Sequence, residues 1–451
     1  MVKTDKSSLQ HKLEEHQSCL TPDNLPSITA SVIDGGYLLH SVLSKVTKRS
    51  SFGDIARTLL ANVSKYRGKQ VHVVFDTYRE SSLKDAERER RKKDEADYVI
   101  TGADQSPRSS PSKLLRNSSF KDQLAKFLTI EWKKEHYCSY LNGKEIFVSY
   151  GGDCTRFYAT QNNIVAFDKP AMFQGDHKEA DSLIIFHVSK IEGNVMIRAT
   201  DADVLILLIG MIGRNSVEVL PPPYSQILLD CGQSNTRRIV SQLAQNLMEI
   251  DSCLPAAVPS FHAVTGTDYT TAFYGKSKPW NVLMKNPDFI QWFMSLGKCE
   301  NIDESEGERF VLEMYSLGEC TNLNTARHKT LCLLAGLKAG KTKINSKQLR
   351  KVDSSLLPPC RKVWQKKLLR CQYISKLWYR SDSHNPAENL SPEKHGWRFE
   401  TGKGFSPIWY DGSSFPDFLE DQNEEEEDND DVSESSDSGV LYSSDSEAYD
   451  E

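Results

Sequence analysis

The sequence lacks any Cys-x-x-Cys pair. Its ten cysteines stand singly, which argues against a zinc ribbon, a thioredoxin-type motif or a disulfide framework. Reduced thiols of this kind fit the cytosol or nucleus. The eleven histidines are equally dispersed, so no histidine-based metal cluster is expected. No run of eighteen apolar residues occurs, and no membrane span is expected. The opening stretch MVKTDKSSLQHKLEEHQ is charged and lacks the apolar segment of a secretory signal. Tandem repeats and a G-x-S-x-G elbow are both missing. GLKAGKT, from Gly336 to Thr342, places three residues between its glycines where a phosphate-binding loop needs four, and no strand precedes it.

What is present is a globular composition. Of 451 residues, 38% are hydrophobic and 26% charged, enough for more than one ordinary core. The net charge of −6 hides an asymmetry. Residues 420–451 hold fifteen acids and no Lys or Arg, which leaves the rest of the chain at a net of about +9. A basic body is compatible with a polyanionic partner.

Local pattern divides the chain. Residues 1–27 form a polar leader, partly helical. SITASVID and KQVHVVFD predict strands ending at Asp34 and Asp76, and NVMIRATD one ending at Asp201. KEIFVSY, after the Asn142-Gly143 turn, predicts another, and SVEVLPPPY a short strand stopped by prolines. Helical spacing is found in SFGDIARTLLANVSKY, from Phe120 to Trp132, and in HKEADSLIIFHVSKI. SLKDAERERRKKDEADYVI predicts a charged helix, and the segment near 80–118 ends in a loose Ser/Pro stretch. Strands alternating with helices predict an α/β fold, a mainly parallel sheet flanked by helices, over residues 28–280. A helical C-terminal extension over 281–420 and a disordered acidic tail over 421–451 follow.

The predicted strands share an unusual terminus. In an open parallel sheet, functional groups gather beyond the carboxyl ends of the strands. Asp34, Asp76 and Asp201 are therefore expected on one edge, with Asp203 beside Asp201. Glu179 and Asp181 fall where a helix begins and its dipole tolerates negative charge. Asp268 follows another short apolar run. Each acid taken alone is equally well a turn residue or a helix N-cap. Seven together would repel one another unless cations bind between them. All-oxygen ligation suits Mg²⁺ or Mn²⁺, and two such ions form the clamp used in phosphodiester hydrolysis.

The order D…D…E-x-[DE]…D-x-D…G-x-D-Y resembles the PIN-like nuclease superfamily, in particular its flap-endonuclease branch. The pieces here are Asp34, Asp76 in VVFD, Glu179-Ala180-Asp181, Asp201-Ala202-Asp203 and Asp268 in TGTDY. The stretches DHKEADSLIIFH, RATDADVLIL, HAVTGTDYTTAFYGKSK and LPPCRKVWQKKLLRCQYISKLW also resemble a transposon-associated animal protein family carrying that domain. The resemblance implies a nuclease that cuts DNA or RNA, with the seven carboxylates holding two Mg²⁺ or Mn²⁺ ions. It further implies that Lys84 and Arg91, seven residues apart on one helix face, steer the scissile phosphate. YGKSKPW stands where the family has a duplex-gripping helix–turn–helix. The alternative is a catalytically silent interaction module that keeps the fold.

Other basic residues invite a phosphate backbone. Arg88 lies within RERRKK, which reads equally as a solvated helical face or a nuclear-import signal; placement is nuclear or cytoplasmic, the nucleus being favoured. Residues 361–380 hold seven Lys/Arg and no acid. Arg361, Lys362, Lys366, Lys367 and Arg370 there are candidates for nucleic-acid contact, or for a solvated face over a packed aromatic one. The acidic tail is a candidate ligand for a basic protein partner.

Overall fold

Strand β2 (Ala30–Asp34) is the axis of the molecule. It pairs in parallel with β3 (Gln70–Val74) on one side and β7 (Val195–Arg198) on the other. Next to β3 runs β4 (Glu145–Tyr150), and next to β7 runs β8 (Ile227–Cys231), both parallel. Antiparallel strands flank this parallel centre. They are β5 (Asp153–Ala159) and β6 (Val165–Asp168) beyond β4, and β9 (Arg238–Ser241) and β1 (Ser18–Leu20) beyond β8. The nine strands lie in the order β1-β9-β8-β7-β2-β3-β4-β5-β6. The α/β class and the parallel centre agree with the sequence expectation. The computed structural model describes residues 6–15, 18–47, 49–77, 83, 97–141, 143–216, 226–232, 236–241, 244–273, 279–337, 350, 352–401 and 404–410. Most of the charged helix with RERRKK, nearly all of SVEVLPPPY and the tail 421–451 lie outside the described residues. Among those residues no helix is long and apolar enough to cross a membrane.

Side-chain alternation assigns the two faces of the sheet. Ile33, Val71, Val73, Ile146 and Val148 pack under helices Gly35–Leu43, Phe52–Val63 and Ser118–Glu131. Val32, Val74, Val195, Ile197 and Leu229 face helices Ala180–Lys190, Ala202–Ser216 and Leu254–Thr265. Between β4 and β5, Gly151 and Gly152 have φ of 64° and 88°. A two-residue hairpin turn needs this left-handed backbone, and glycine adopts it without penalty.

Two expectations are corrected and one is refined. Leu13 of the leader is fully buried, and Ser18–Leu20 pairs with β9 at the sheet edge, so this segment belongs to the body. The C-terminal helices Pro287–Lys298, Glu304–Met314 and Arg361–Tyr379 contribute Phe289, Phe293, Phe310 and Trp364 to the core under β7. The extension is helical and forms one compact unit with the sheet, Met1–Trp409. Finally, residues 97–118 of the Ser/Pro stretch are held in place. Tyr98 and Pro107 are buried, and Gly53 and Phe52 donate to the carbonyls of Ala103 and Gln105.

A buried histidine pair marks the face under Ala180–Lys190. His72 Nδ1 lies 2.9 Å from His187 Nδ1, and His187 Nε2 lies 2.8 Å from Ser149 Oγ. His72 stacks on Phe147 with centroids 4.2 Å apart. Burial pushes His187 down to about 3 and His72 well below its ordinary range. Unfolded, both titrate near 6.5. The unfolded chain therefore takes up protons first, and stability is lost as pH falls below 6.5 toward 3. Each ring contributes about 1.4 kcal/mol per pH unit well below 6.5. Urea midpoints measured from pH 7 to 5 should fall in the wild type and fall less steeply in His187→Gln.

Candidate metal centre

The strand-end acids act first as helix caps. Asp34 ends β2, and its Oδ1 accepts the Gly36 N–H at 2.8 Å at the start of Gly35–Leu43. Asp76 follows β3 by two residues. Its Oδ1 accepts the Ala180 N–H at 2.8 Å, capping a helix more than one hundred residues away in sequence. The neighbouring Thr77 N–H donates to the Lys178 carbonyl. Asp201 lies beyond β7, which stops at Arg198 rather than at Asp201. Its Oδ1 accepts the Asp203 N–H at 3.0 Å at the start of Ala202–Ser216. The apolar run Val204–Ile209 is thus helical. Both readings of these acids hold at once. They are caps, and the parallel register Asp34↔Val74 and Ile33↔Arg198 brings the caps to one edge. Three helix N-termini meet there and favour negative charge.

Asp181, Asp201 and Asp203 converge most closely: each offers one carboxylate oxygen within 4.8 Å of the others. Asp181 is half-buried, Asp201 exposed and Asp203 buried. The three can hold a metal ion. Asp34 is half-buried beside Asp201. Burial above all, then the charge of Asp76, raises its carboxyl to about 7. Hydrogen bonds from the Gly36 and Tyr37 backbone oppose this rise, and the charge of Asp201 adds to it. A carboxylate under such pressure releases its proton when a cation takes the proton's place.

His262 Nε2 lies 3.0 Å from Asp203 Oδ1, and both side chains are 2% exposed. The imidazole is stacked on the Trp378 indole at 5.7 Å between centroids and 10° between planes. Nothing in the sequence pairs His262 with Asp203, fifty-nine residues away. Only its place in HAVTGTDY, six residues before Asp268, hinted at the site.

Glu179 and Asp268 complete the seven acids. Glu179 is buried at the cap position of Ala180–Lys190, without a side-chain cap bond. Asp268 is half-buried in the turn closed by Thr267 and Thr270 after Leu254–Thr265. Lys84, Arg88 and Arg91 lie outside the described residues. Of the basic helix, Arg361 and Lys362 are exposed and Lys366 half-buried. Lys367 and Arg370 are corrections. Lys367 is 4% exposed with its Nζ 3.4 Å from the Phe273 ring centroid. Arg370 is 2% exposed and donates to the carbonyls of Gly396 and Ile408. Neither is presented to a phosphate backbone, because the helix is surrounded by the core on most of its circumference. No family model and no curated protein matches the chain.

Proposed function

We propose that the chain is a metal-dependent nuclease of the PIN-like, flap-endonuclease-like kind, hydrolysing phosphodiester bonds of DNA or RNA. The observation that carries this reading is the convergence of Asp181, Asp201 and Asp203 beside the half-buried Asp34 and Asp76. An all-carboxylate donor set fits hard Mg²⁺ or Mn²⁺ and disfavours softer ions. Two such ions, when bound, activate water and neutralise charge on the phosphate. The protein's own part is to fix the oxygens. Asp34, Asp76 and Asp201 are each held by a backbone N–H, so their carboxylates are oriented before any ligand arrives. Asp201, the exposed member, faces the side from which a substrate enters. Lys84 and Arg91 are the cations we assign to the scissile phosphate.

The alternative is a catalytically silent interaction module that keeps the fold. A single assay separates the readings. Labelled single-stranded, branched and duplex DNA, and the matching RNAs, are incubated with the protein and Mn²⁺. Cleavage that drops at least about a hundredfold in Asp201→Ala supports the nuclease. Binding without cleavage by the wild type on every substrate assigns the module instead.

The raised carboxyl of Asp34 adds a pH signature. Below about pH 7 an ion must displace the Asp34 proton. Mn²⁺ affinity measured by calorimetry should therefore weaken by up to about tenfold per pH unit as pH falls from 7 to 5. A flat profile over that range contradicts the assignment of Asp34 as a ligand.

A further inference from the structure

We infer that His262 is a positioning residue of the carboxylate centre, with Trp378 as its support; this rests on the metal-binding reading above. A carboxylate only accepts hydrogen bonds, so the Nε2 facing Asp203 Oδ1 at 3.0 Å carries a proton and donates it. That bond takes one oxygen of Asp203 and fixes the rotation of its carboxyl plane, and with it the direction of the second oxygen. Outer hydrogen bonds of this kind orient ligands and tune their basicity.

The imidazole is itself immobilised. It projects from the last turn of Leu254–Thr265, which packs along Ala202–Ser216, the helix bearing Asp203. The Trp378 indole lies parallel to the ring. Trp378 belongs to the last turn of Arg361–Tyr379, a helix tied to the same region by Cys371, whose Sγ lies 3.3 Å from the Ala263 carbonyl. The residues just beyond that helix hold a second arm of the centre. Asp176 N–H donates to the His384 carbonyl at 2.8 Å, and His177 Nε2 lies 2.9 Å from the Ser383 carbonyl. His177 Nδ1 meets Ser182 Oγ at 3.0 Å in the helix of Asp181. The C-terminal helix and its following turn thus grip both the Asp181 and the Asp203 arms.

The test uses side chains of graded reach. A glutamine amide reproduces the donor at Nε2, an asparagine amide fills much of the space but stops short, and alanine removes both. Mn²⁺ binding is measured by calorimetry and electron paramagnetic resonance on wild type, His262→Gln, His262→Asn and His262→Ala, each checked for native circular dichroism. Asparagine and alanine should weaken Mn²⁺ binding by about 10- to 100-fold, and glutamine should restore most of it. The asparagine and glutamine pair suffices if the alanine variant does not fold. Equal affinity in wild type and asparagine variant, or equal losses with asparagine and glutamine, overturns the positioning role. Absence of Mn²⁺ binding by the wild type overturns the metal reading itself, and the positioning role with it.

Discussion

Asp34→Asn should make the metal-free protein more stable at pH 8 while removing its response to Mn²⁺. The Asp34 carboxyl titrates near 7 in the fold, against 3.8 as its ordinary value. A raised acid holds its proton in the folded state where the unfolded chain has lost it. Its contribution to stability is full below pH 3.8 and is lost as pH rises through 7. At pH 8 the ionised, half-buried Asp34 therefore costs up to about 4 kcal/mol relative to acid conditions. Asparagine keeps an acceptor for the Gly36 N–H and carries no charge. Urea denaturation in EDTA at pH 8 should show the gain, and it should shrink toward zero as pH approaches 4. With saturating Mn²⁺ the order reverses, because only the wild type gains from the ion. An asparagine variant no more stable than wild type at pH 8 in EDTA would remove the basis for calling Asp34 a strained ligand. On the metal-binding reading proposed above, this is the stability cost of gathering carboxylates at one edge.

Lys367→Met should stabilise the protein for the opposite electrostatic reason and without touching the carboxylates. The Lys367 ammonium is 4% exposed, and its Nζ has no hydrogen-bond partner among the described residues. Burial, chiefly, lowers it from 10.5 to about 7, with the nearby Cys371 opposing and Arg370 adding to the shift. A depressed lysine contributes its full stability only above 10.5, and that stability is lost as pH falls through 7. Below pH 7 the buried cation costs about 5 kcal/mol, offset in part by its position over the Phe273 ring, worth about 1–2 kcal/mol. Methionine has a similar length and no charge. Its gain at pH 6 should be roughly 3–4 kcal/mol by this reckoning, and the rise in wild-type stability between pH 7 and 10 should disappear. A neutral or destabilising outcome at pH 6 shows that the ammonium has a partner.

Sequence and structure agree where local chemistry dominates. Apolar runs rich in Val and Ile and closed by Asp, as in SVID and VVFD, mark parallel strands because such strands are buried on both faces. The carboxylates could be grouped because strand ends in a parallel sheet share one edge. Disagreement begins where the decisive partner is remote. SCL is three residues long and has no pattern that announces an edge strand; β9 makes it one. The strands β5, β6, β8 and β9 were not anticipated, and the turns around them carry much of their definition. Both sequence readings of the basic helix, phosphate contact or a solvated face over a packed aromatic one, leave its cations exposed, because charges counted along a sequence lack their tertiary partners. Carbonyls of Gly396 and Ile408 take up Arg370, Glu300 takes up Lys376 at 2.6 Å, and a phenyl ring covers Lys367. His262 was one dispersed histidine among eleven until the fold set it against Asp203.

The grip of Trp378 and Ser383 on the carboxylate arms bears on synthesis of the chain. Every acidic ligand candidate from Asp34 to Asp268 leaves the ribosome before the residues that clamp them. A nascent chain can thus carry the strands of the sheet while its carboxylate edge still lacks the support of Trp378 and Ser383.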